Sequence, residues 1–220
     1  MTLESWHNYP KVYALGHTAI DGILKGPVLV QEKVDGSQFS FGAFPDNSGN
    51  VYLRCKSRSA ELNIMAPEKM FGAGIQAVCG LLPKLTVGWT YRGEYLAKPH
   101  HNTIYYDRVP KNHIILFDIN TGNETYLPYD RVAQEADRLG LEVVPRISDG
   151  VTIENIDMFR DFLAHTSILG GSKVEGVVVK NYSLYGVDGK VFMGKFVSED
   201  FREAHTTHWN KGQAGKDIIA

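Results

Sequence analysis

The sequence predicts an α+β domain with largely antiparallel sheets and flanking helices. Three observations lead there. Strand-like runs outnumber helical ones. The helices interrupt the strands in blocks rather than in strict β-α-β alternation. No linker rich in Pro, Gly or Ser divides the chain, so residues 1–220 read as one domain. A chain of 220 residues can bury a sizeable core without staples.

The elements follow in order. Val28 to Val34 is the first strand. Gln38 to Phe44 alternates and runs into the turn cluster Pro45-Asp46-Asn47-Ser48-Gly49-Asn50, so Val51 to Cys55 returns as the second arm of a hairpin. Pro67 to Leu82 has a helical pattern, weakened by Gly72 and Gly74. Trp89 to Leu96 reads as a strand, Ala97 to Lys111 as a polar loop with Pro99 and Pro110, and Ile114 to Ile119 as a short buried strand. Tyr129 to Leu139 is amphipathic and stops at Gly140, and the chain leaves through Val143, Val144 and Pro145. Ile156 to Ala164 is a further helix. Val174 to Tyr182 and Lys190 to Val197 are strands, joined by a loop that includes Val187-Asp188-Gly189.

Composition removes whole classes. Hydrophobic residues at 43% and charged residues at 22% are ordinary for a globular chain and exclude disorder, collagen and coiled coil. No apolar run approaches the ~18 residues that span a bilayer. The polar, aromatic start is not a signal peptide. Cys55 and Cys79 are too few for a disulfide framework or a four-cysteine zinc site; they read as small core residues in a reducing cytoplasm. A net charge of −2 argues against bulk electrostatic coating of nucleic acid but leaves room for a local basic groove.

Five segments carry candidate chemistry. In Gln31-Glu32-Lys33-Val34-Asp35-Gly36-Ser37 a lysine sits inside an apolar strand, and Lys33 and Asp35, two apart, share a face. Alone, this is also what an ion pair on a solvated face looks like. In Lys173-Val174-Glu175-Gly176-Val177-Val178-Val179-Lys180 a core strand is bracketed by Glu175 and Lys180. They are five apart, so strict alternation puts them on opposite faces, and both reach one pocket only if Gly176 makes a bulge or turn. Alone, this is also a buried strand with charged ends. The remaining three are Gly93-Glu94 in an aromatic strand, Phe117-Asp118 in a buried one, and Lys195-Phe196-Val197.

Taken in order, with Ser57-Arg58 between the first and the Gly93-Glu94 segment, these motifs resemble the covalent nucleotidyltransferases: ATP-dependent DNA and RNA ligases and mRNA capping enzymes. The resemblance covers roughly residues 28 to 203. Glu32 before the lysine, Leu116-Phe117-Asp118-Ile119 and the run from Lys195 to Phe201 are most similar to the nick-sealing branch of the RNA ligases. The resemblance implies the ligase adenylation-domain fold. It implies ATP-dependent joining of 3′-OH and 5′-phosphate ends of RNA or a nicked duplex, through a lysyl–AMP adduct on Lys33, with Mg2+ or Mn2+. Lys180 and Lys195 would clamp the α-phosphate. Glu175, and with it Asp35, would serve a metal or its water. Arg58 and Glu94 would hold the ribose side, Phe117 would stack on adenine, and the backbone at Glu32 would read the adenine edge beside Gly36. A DNA ligase core, a capping-type guanylyltransferase and a non-catalytic nucleotide- or RNA-binding module are the alternatives.

The chemistry needs a neutral amine, and a free lysine, with a pKa of about 10.4, supplies very little at pH 7. Burial in an apolar strand and the neighbouring cations Lys180 and Lys195 are expected to lower that of Lys33. Two departures from the family pattern stand out. Val197 occupies the place of a second lysine, for which Lys190 is a candidate substitute. Only 25 residues follow Lys195, so no OB or other appended domain is expected. His205 and His208, with Glu203, lack a third ligand at useful spacing and read as a surface helix rather than a zinc site. The loop from Lys98 to Thr103, followed by Tyr105 and Tyr106, reads equally as surface or as a nucleic-acid contact. Arg54 and Lys56 flank Arg58 and suit either phosphate or solvent.

Overall fold

A computed structural model describes residues 4–153 and 157–198. The strands are β1 (Tyr13–Ala14), β2 (Val28–Lys33), β3 (Ser37–Pro45) and β4 (Val51–Lys56). After α1 (Gly72–Leu81) come β5 (Thr90–Tyr95), β6 (Ile114–Gly122) and β7 (Thr125–Tyr126). After α2 (Tyr129–Leu139) come β8 (Glu142–Val143) and β9 (Arg146–Val151), then α3 (Asp157–Leu163), β10 (Gly176–Tyr185) and β11 (Val191–Val197).

These strands form two sheets. A five-stranded sheet has the order β1-β11-β10-β2-β9, and a six-stranded sheet has the order β4-β3-β5-β6-β7 with β8 beside β6. Pairing is antiparallel except for β1 with β11 and β8 with β6. Alternation within each strand splits its side chains between two environments. In the six-stranded sheet Phe39, Phe41, Tyr91, Ile114 and Leu116 face outward into a core with α1 and α2. In the five-stranded sheet Val28, Val30, Val177 and Val179 pack on Phe159 of α3. The opposite faces look toward each other, and there Val34, Leu96, Ile115, Val144 and Leu169 form a smaller cluster beside polar side chains.

Several expectations shift. α1 starts at Gly72 rather than Pro67, because residues 68–71 close a turn, Phe71 N–H to Glu68 carbonyl, before the helix begins. The bare Gly74 lets α1 lie against Tyr95, whose ring a Cβ would meet at 2.8 Å. Cys79 is exposed rather than core, since the helix buries positions 74, 75, 78 and 81. Strand β9 has no counterpart in the sequence reading. α2 and its Gly140 cap, at φ 69°, fall where the sequence puts them. His205, His208 and Glu203 lie outside the described residues. Among the described residues no helix is long and apolar enough to cross a membrane.

The segment from Ser5 to Val12 straps across both sheets. Arg92, fully buried, donates from its guanidinium to the carbonyls of Ser5 and His7 at 3.1 and 2.9 Å and to Asn120 at 2.8 Å. Lys56 adds hydrogen bonds to the His7 carbonyl and Asn8.

Candidate active site

Between the facing sheets lies a cleft of about 660 Å³. Its wall from the five-stranded sheet follows directly from pairing. Gln31 and Lys33 of β2 share the inward face, Val178 of β10 stands opposite Gln31, and Lys195 of β11 stands opposite Val178. Lys33 faces Gly176, and beyond that glycine comes Val197. Glu94, Arg58, Phe117, Gly36 and Glu32 line the cleft together with Lys33, Lys180 and Lys195. Eight of the ten residues singled out in the sequence therefore border one cavity, and the other two sit differently.

Glu175 is the first of these. It precedes β10 in a bend, so the alternation that would turn it from Lys180 does not apply to it. Its carboxylate meets the Lys33 ammonium at 2.8 Å. The ladder runs without a register break from Gly176 to Asn181. Gly176 is needed for space: a Cβ there would lie 2.3 Å from the Phe196 carbonyl oxygen.

Asp35 is the second. It does not line the cleft. Its carboxylate accepts from the backbone N–H groups of Thr103 and Ile104 at 2.7 and 2.9 Å and from Asn102, and its own N–H donates to the Tyr106 hydroxyl. The place expected for it beside a metal gives way to anchoring the 97–111 loop. His101 secures the same loop to Ser37 at 2.9 Å.

The electrostatics of Lys33 also differ from expectation. Burial pulls its pKa down, but Glu175, then Glu94, more than offset that, and the net direction is upward. The lysine rests as an ammonium ion. Burial raises the Glu175 carboxyl even with Lys33 beside it. Burial pushes Glu94 up to about 8, against the pull of Lys33. Glu32 is raised by burial as well, while accepting from Ser167 Oγ at 2.5 Å and Ile168 N–H at 3.1 Å.

Lys180 is 2% exposed and bound to Asp118 at 2.8 Å and to the Phe117 carbonyl at 3.0 Å, with its Nζ 5.1 Å from the centroid of the Phe117 ring. Burial lowers its pKa and Asp118 opposes that. Two consecutive residues of β6 reach toward the same lysine because the ladder with β5 slips there: Arg92 pairs with Asp118 and Gly93 with Leu116, which leaves Phe117 as an inserted residue. Asp118 also accepts from Tyr9 and from Tyr182, the latter at 2.6 Å.

Several assignments change. Lys190 pairs with Glu124 at 2.8 Å and does not line the cleft, so it does not stand in for a second lysine at Val197. Lys11, on the strap, does line it, as do Tyr9, Met70 and Phe71, none of which the sequence marked as functional. Arg54 pairs with Glu61 and lies over Trp6, and Lys56 serves the strap, so neither faces the cleft. Among the described residues no group of three or more His, Cys, Asp or Glu side chains could hold a metal ion.

Comparison with known proteins bears on this geometry. The family model for RNA ligase matches residues 26–197. No curated protein matches the chain significantly. Among solved structures, Naegleria gruberi RNA ligase with pyrophosphate superposes at TM-score 0.65 and 19% identity, over 91% of this chain and 58% of that one. A variant of the same ligase with ATP and manganese gives 0.66 and 19%, over 90% and 58%, and one with AMP and manganese gives 0.65 and 20%, over 91% and 58%. The chain thus spans just over half the length of these ligases.

Proposed function

The chain belongs to the RNA ligase family, and from that premise we propose that it is an ATP-dependent RNA ligase that joins 3′-OH and 5′-phosphate ends through a lysyl–AMP adduct on Lys33. The observation that carries this reading is the Lys33 ammonium, held by Glu175 at 2.8 Å in the wall of a cleft that also gathers Lys180, Lys195 and Arg58. Lys33 first loses a proton, and Glu175 is the acceptor in contact with it. With Glu175 turned away, the largest influence that keeps Lys33 protonated is gone. Lys33 Nζ then attacks the α-phosphorus of ATP. The nitrogen–phosphorus bond forms as the bond to the bridging oxygen breaks, and pyrophosphate leaves with the electron pair. Transfer of AMP to the 5′-phosphate of RNA breaks the nitrogen–phosphorus bond and makes a phosphoanhydride. Attack by the 3′-hydroxyl on that activated phosphate releases AMP and seals the strand.

Charge builds on phosphate oxygens throughout, so positioning and electrostatic stabilisation do most of the catalysis. Lys195 and Lys180 take the α-phosphate, with Lys180 fixed in place by Asp118. Arg58 and Glu94 take the ribose side. Glu94 is mostly protonated at neutral pH, so it can donate to a ribose oxygen as well as accept. The base lies between the Phe117 ring and Val178. Glu175, the carboxylate in contact with Lys33, is the residue that would hold a Mg2+ or Mn2+ ion or its water at the phosphates. Bound there, the ion would supply charge neutralisation at the phosphates. The related structures with ATP and manganese support this choice of nucleotide and metal. Two free cysteines fit a reducing cytoplasm.

The test is intact-mass measurement after incubation with ATP and Mg2+ or Mn2+, followed by sealing of RNA ends. Wild-type chain should gain one AMP and Lys33→Ala none. An adduct that persists in Lys33→Ala would remove Lys33 from this role.

A further inference from the structure

We propose that the loops 97–111 and 165–173 form a docking platform for unpaired RNA, with Tyr105 stacking on a base. The role rests on the RNA ligase reading above and names where its polynucleotide substrate sits. Glu32 and Asp35 lie on either side of Lys33 in the sequence, and each holds one of these loops. Glu32 accepts from Ser167 Oγ at 2.5 Å and from the Ile168 N–H at 3.1 Å. Asp35 accepts from the Thr103 and Ile104 N–H groups at 2.7 and 2.9 Å. The loops also fasten to each other. Ser172 Oγ donates to the Tyr105 carbonyl at 3.0 Å, the Asp107 N–H to the Leu169 carbonyl at 3.2 Å, and Arg108 to the Ile168 carbonyl at 3.1 Å. Asn102 donates to the Gly36 carbonyl at 2.8 Å, and His101 meets Ser37 at 2.9 Å, so the pair of loops is tied to two residues that line the cleft. The strand end that carries Lys33 thus has a braced rim beside it.

The rim shows solvent an aromatic face and free cations. Tyr106 turns inward, where its hydroxyl accepts from the Asp35 N–H at 2.8 Å. Tyr105 turns outward and is 63% exposed, although the His100 ring stacks on it at 3.6 Å between centroids and 15° between planes. A ring backed by a second ring is held in orientation and keeps one face for a flat partner. Ile168, also exposed, adds an apolar side chain from the other loop. Lys98 and Lys173 are exposed, and neither pairs with a carboxylate among the described residues. The Asp107 carboxylate lies against Gly170 and Gly171. An aromatic face beside such cations suits single-stranded nucleic acid, because every base has a face to stack and every nucleotide a phosphate. Paired bases in a duplex are already stacked on one another, so unpaired nucleotides are the ones this face takes.

The test is fluorescence-anisotropy binding of a short, unstructured, 5′-phosphorylated RNA at several salt concentrations. Tyr105 serves the rim's hydrogen bonds through its main chain, so Tyr105→Ala leaves them in place. That variant should weaken binding by roughly 5- to 100-fold, the range of one base–aromatic stack, without changing the salt dependence. Tyr105→Phe keeps the ring and should bind like wild type. Lys98→Ala together with Lys173→Ala should instead flatten the slope of log affinity against log salt by about 0.7 for each lysine lost. Single-strand binding that Tyr105→Ala leaves unchanged, or an equal loss for a long RNA duplex, would overturn the proposal. So would a wild-type dimer that Tyr105→Ala separates, because the patch would then join two copies of the chain. Adduct formation with ATP is read separately. A chain that forms no lysyl–AMP yet gives these RNA results fails the ligase reading and keeps the platform. One that forms the adduct and binds RNA equally with and without the Tyr105 ring loses the platform alone.

Discussion

At the scale of single residues the controlling fact is the pair Lys33–Glu175. Removing the carboxylate removes the main influence that raises the Lys33 pKa. In Glu175→Gln the acid limb of the pH profile for adduct formation should move to lower pH, even if the maximal rate falls; an unmoved limb would mean that Glu175 does not set the protonation of Lys33. Glu94 gives a stability test. Its pKa in the folded protein, about 8, lies above the ordinary 4.5, so the unfolded chain releases this proton first. Its contribution therefore lowers stability as pH rises from about 4.5 to 8. Glu94→Gln should flatten that decline by about 1–3 kcal/mol in denaturant titrations at pH 5 and 8, at about 1.4 kcal/mol per unit discounted for partial exposure. Some of this was legible in the sequence and some was not. Lys33 stands out because a lysine interrupts an apolar strand. Its partner Glu175 is separated from it by 142 positions, and only the pairing of β2 with β10 brings them together. The Lys33 shift runs opposite to the sequence expectation for the same reason: burial can be read from a strand pattern, but the position of a distant carboxylate cannot.

At the scale of elements, one local irregularity shapes the site. The slip in β6 turns Phe117 and Asp118 toward one lysine, which a strand of strict period two cannot do. Within β6 the run from Ile114 to Phe117 is unbroken apolar and carries no bulge signal; the glycine at the slip, Gly93, lies on the partner strand β5. Gly176, expected from the sequence to make a bulge or turn, sits in a regular ladder and is needed for space. Gly176→Ala would drive a methyl group into the Phe196 carbonyl and should cost about 1–3 kcal/mol, measured by urea unfolding. β9 carries no strand signal in the sequence because Arg146-Ile-Ser-Asp-Gly-Val contains turn residues and has little apolar alternation. It forms as an edge strand on β2, with its register broken twice. The 97–111 loop depends on Asp35. In Asp35→Ala the Thr103 and Ile104 N–H groups lose their acceptor, and their hydrogen exchange should accelerate; unchanged protection would show that the loop holds itself.

At the scale of the whole molecule, two sheets with separate cores are joined across their inner faces. Lys180 of one and Asp118 of the other are both within 2% of full burial, and they carry charge across that seam. Breaking a buried pair from one side costs about 3–5 kcal/mol, while replacing both partners with apolar groups costs much less. Lys180→Met should show the larger loss, and adding Asp118→Leu should restore part of it, as a double-mutant cycle in denaturant would show. The order of the strands along the chain has a further effect. The six-stranded sheet is drawn entirely from residues 37–143, whereas the five-stranded one joins residues 13–33 to residues 146–197. During synthesis the first sheet can assemble while β2 still waits for β10. Lys33 meets Glu175, and Gln31 meets Val178, only once the ribosome has passed those late positions. A nascent chain therefore carries Lys33, the proposed nucleophile, early, but it gains the pocket around it only after β10 and β11 have been made, so chains that stall before those strands should be unable to consume ATP.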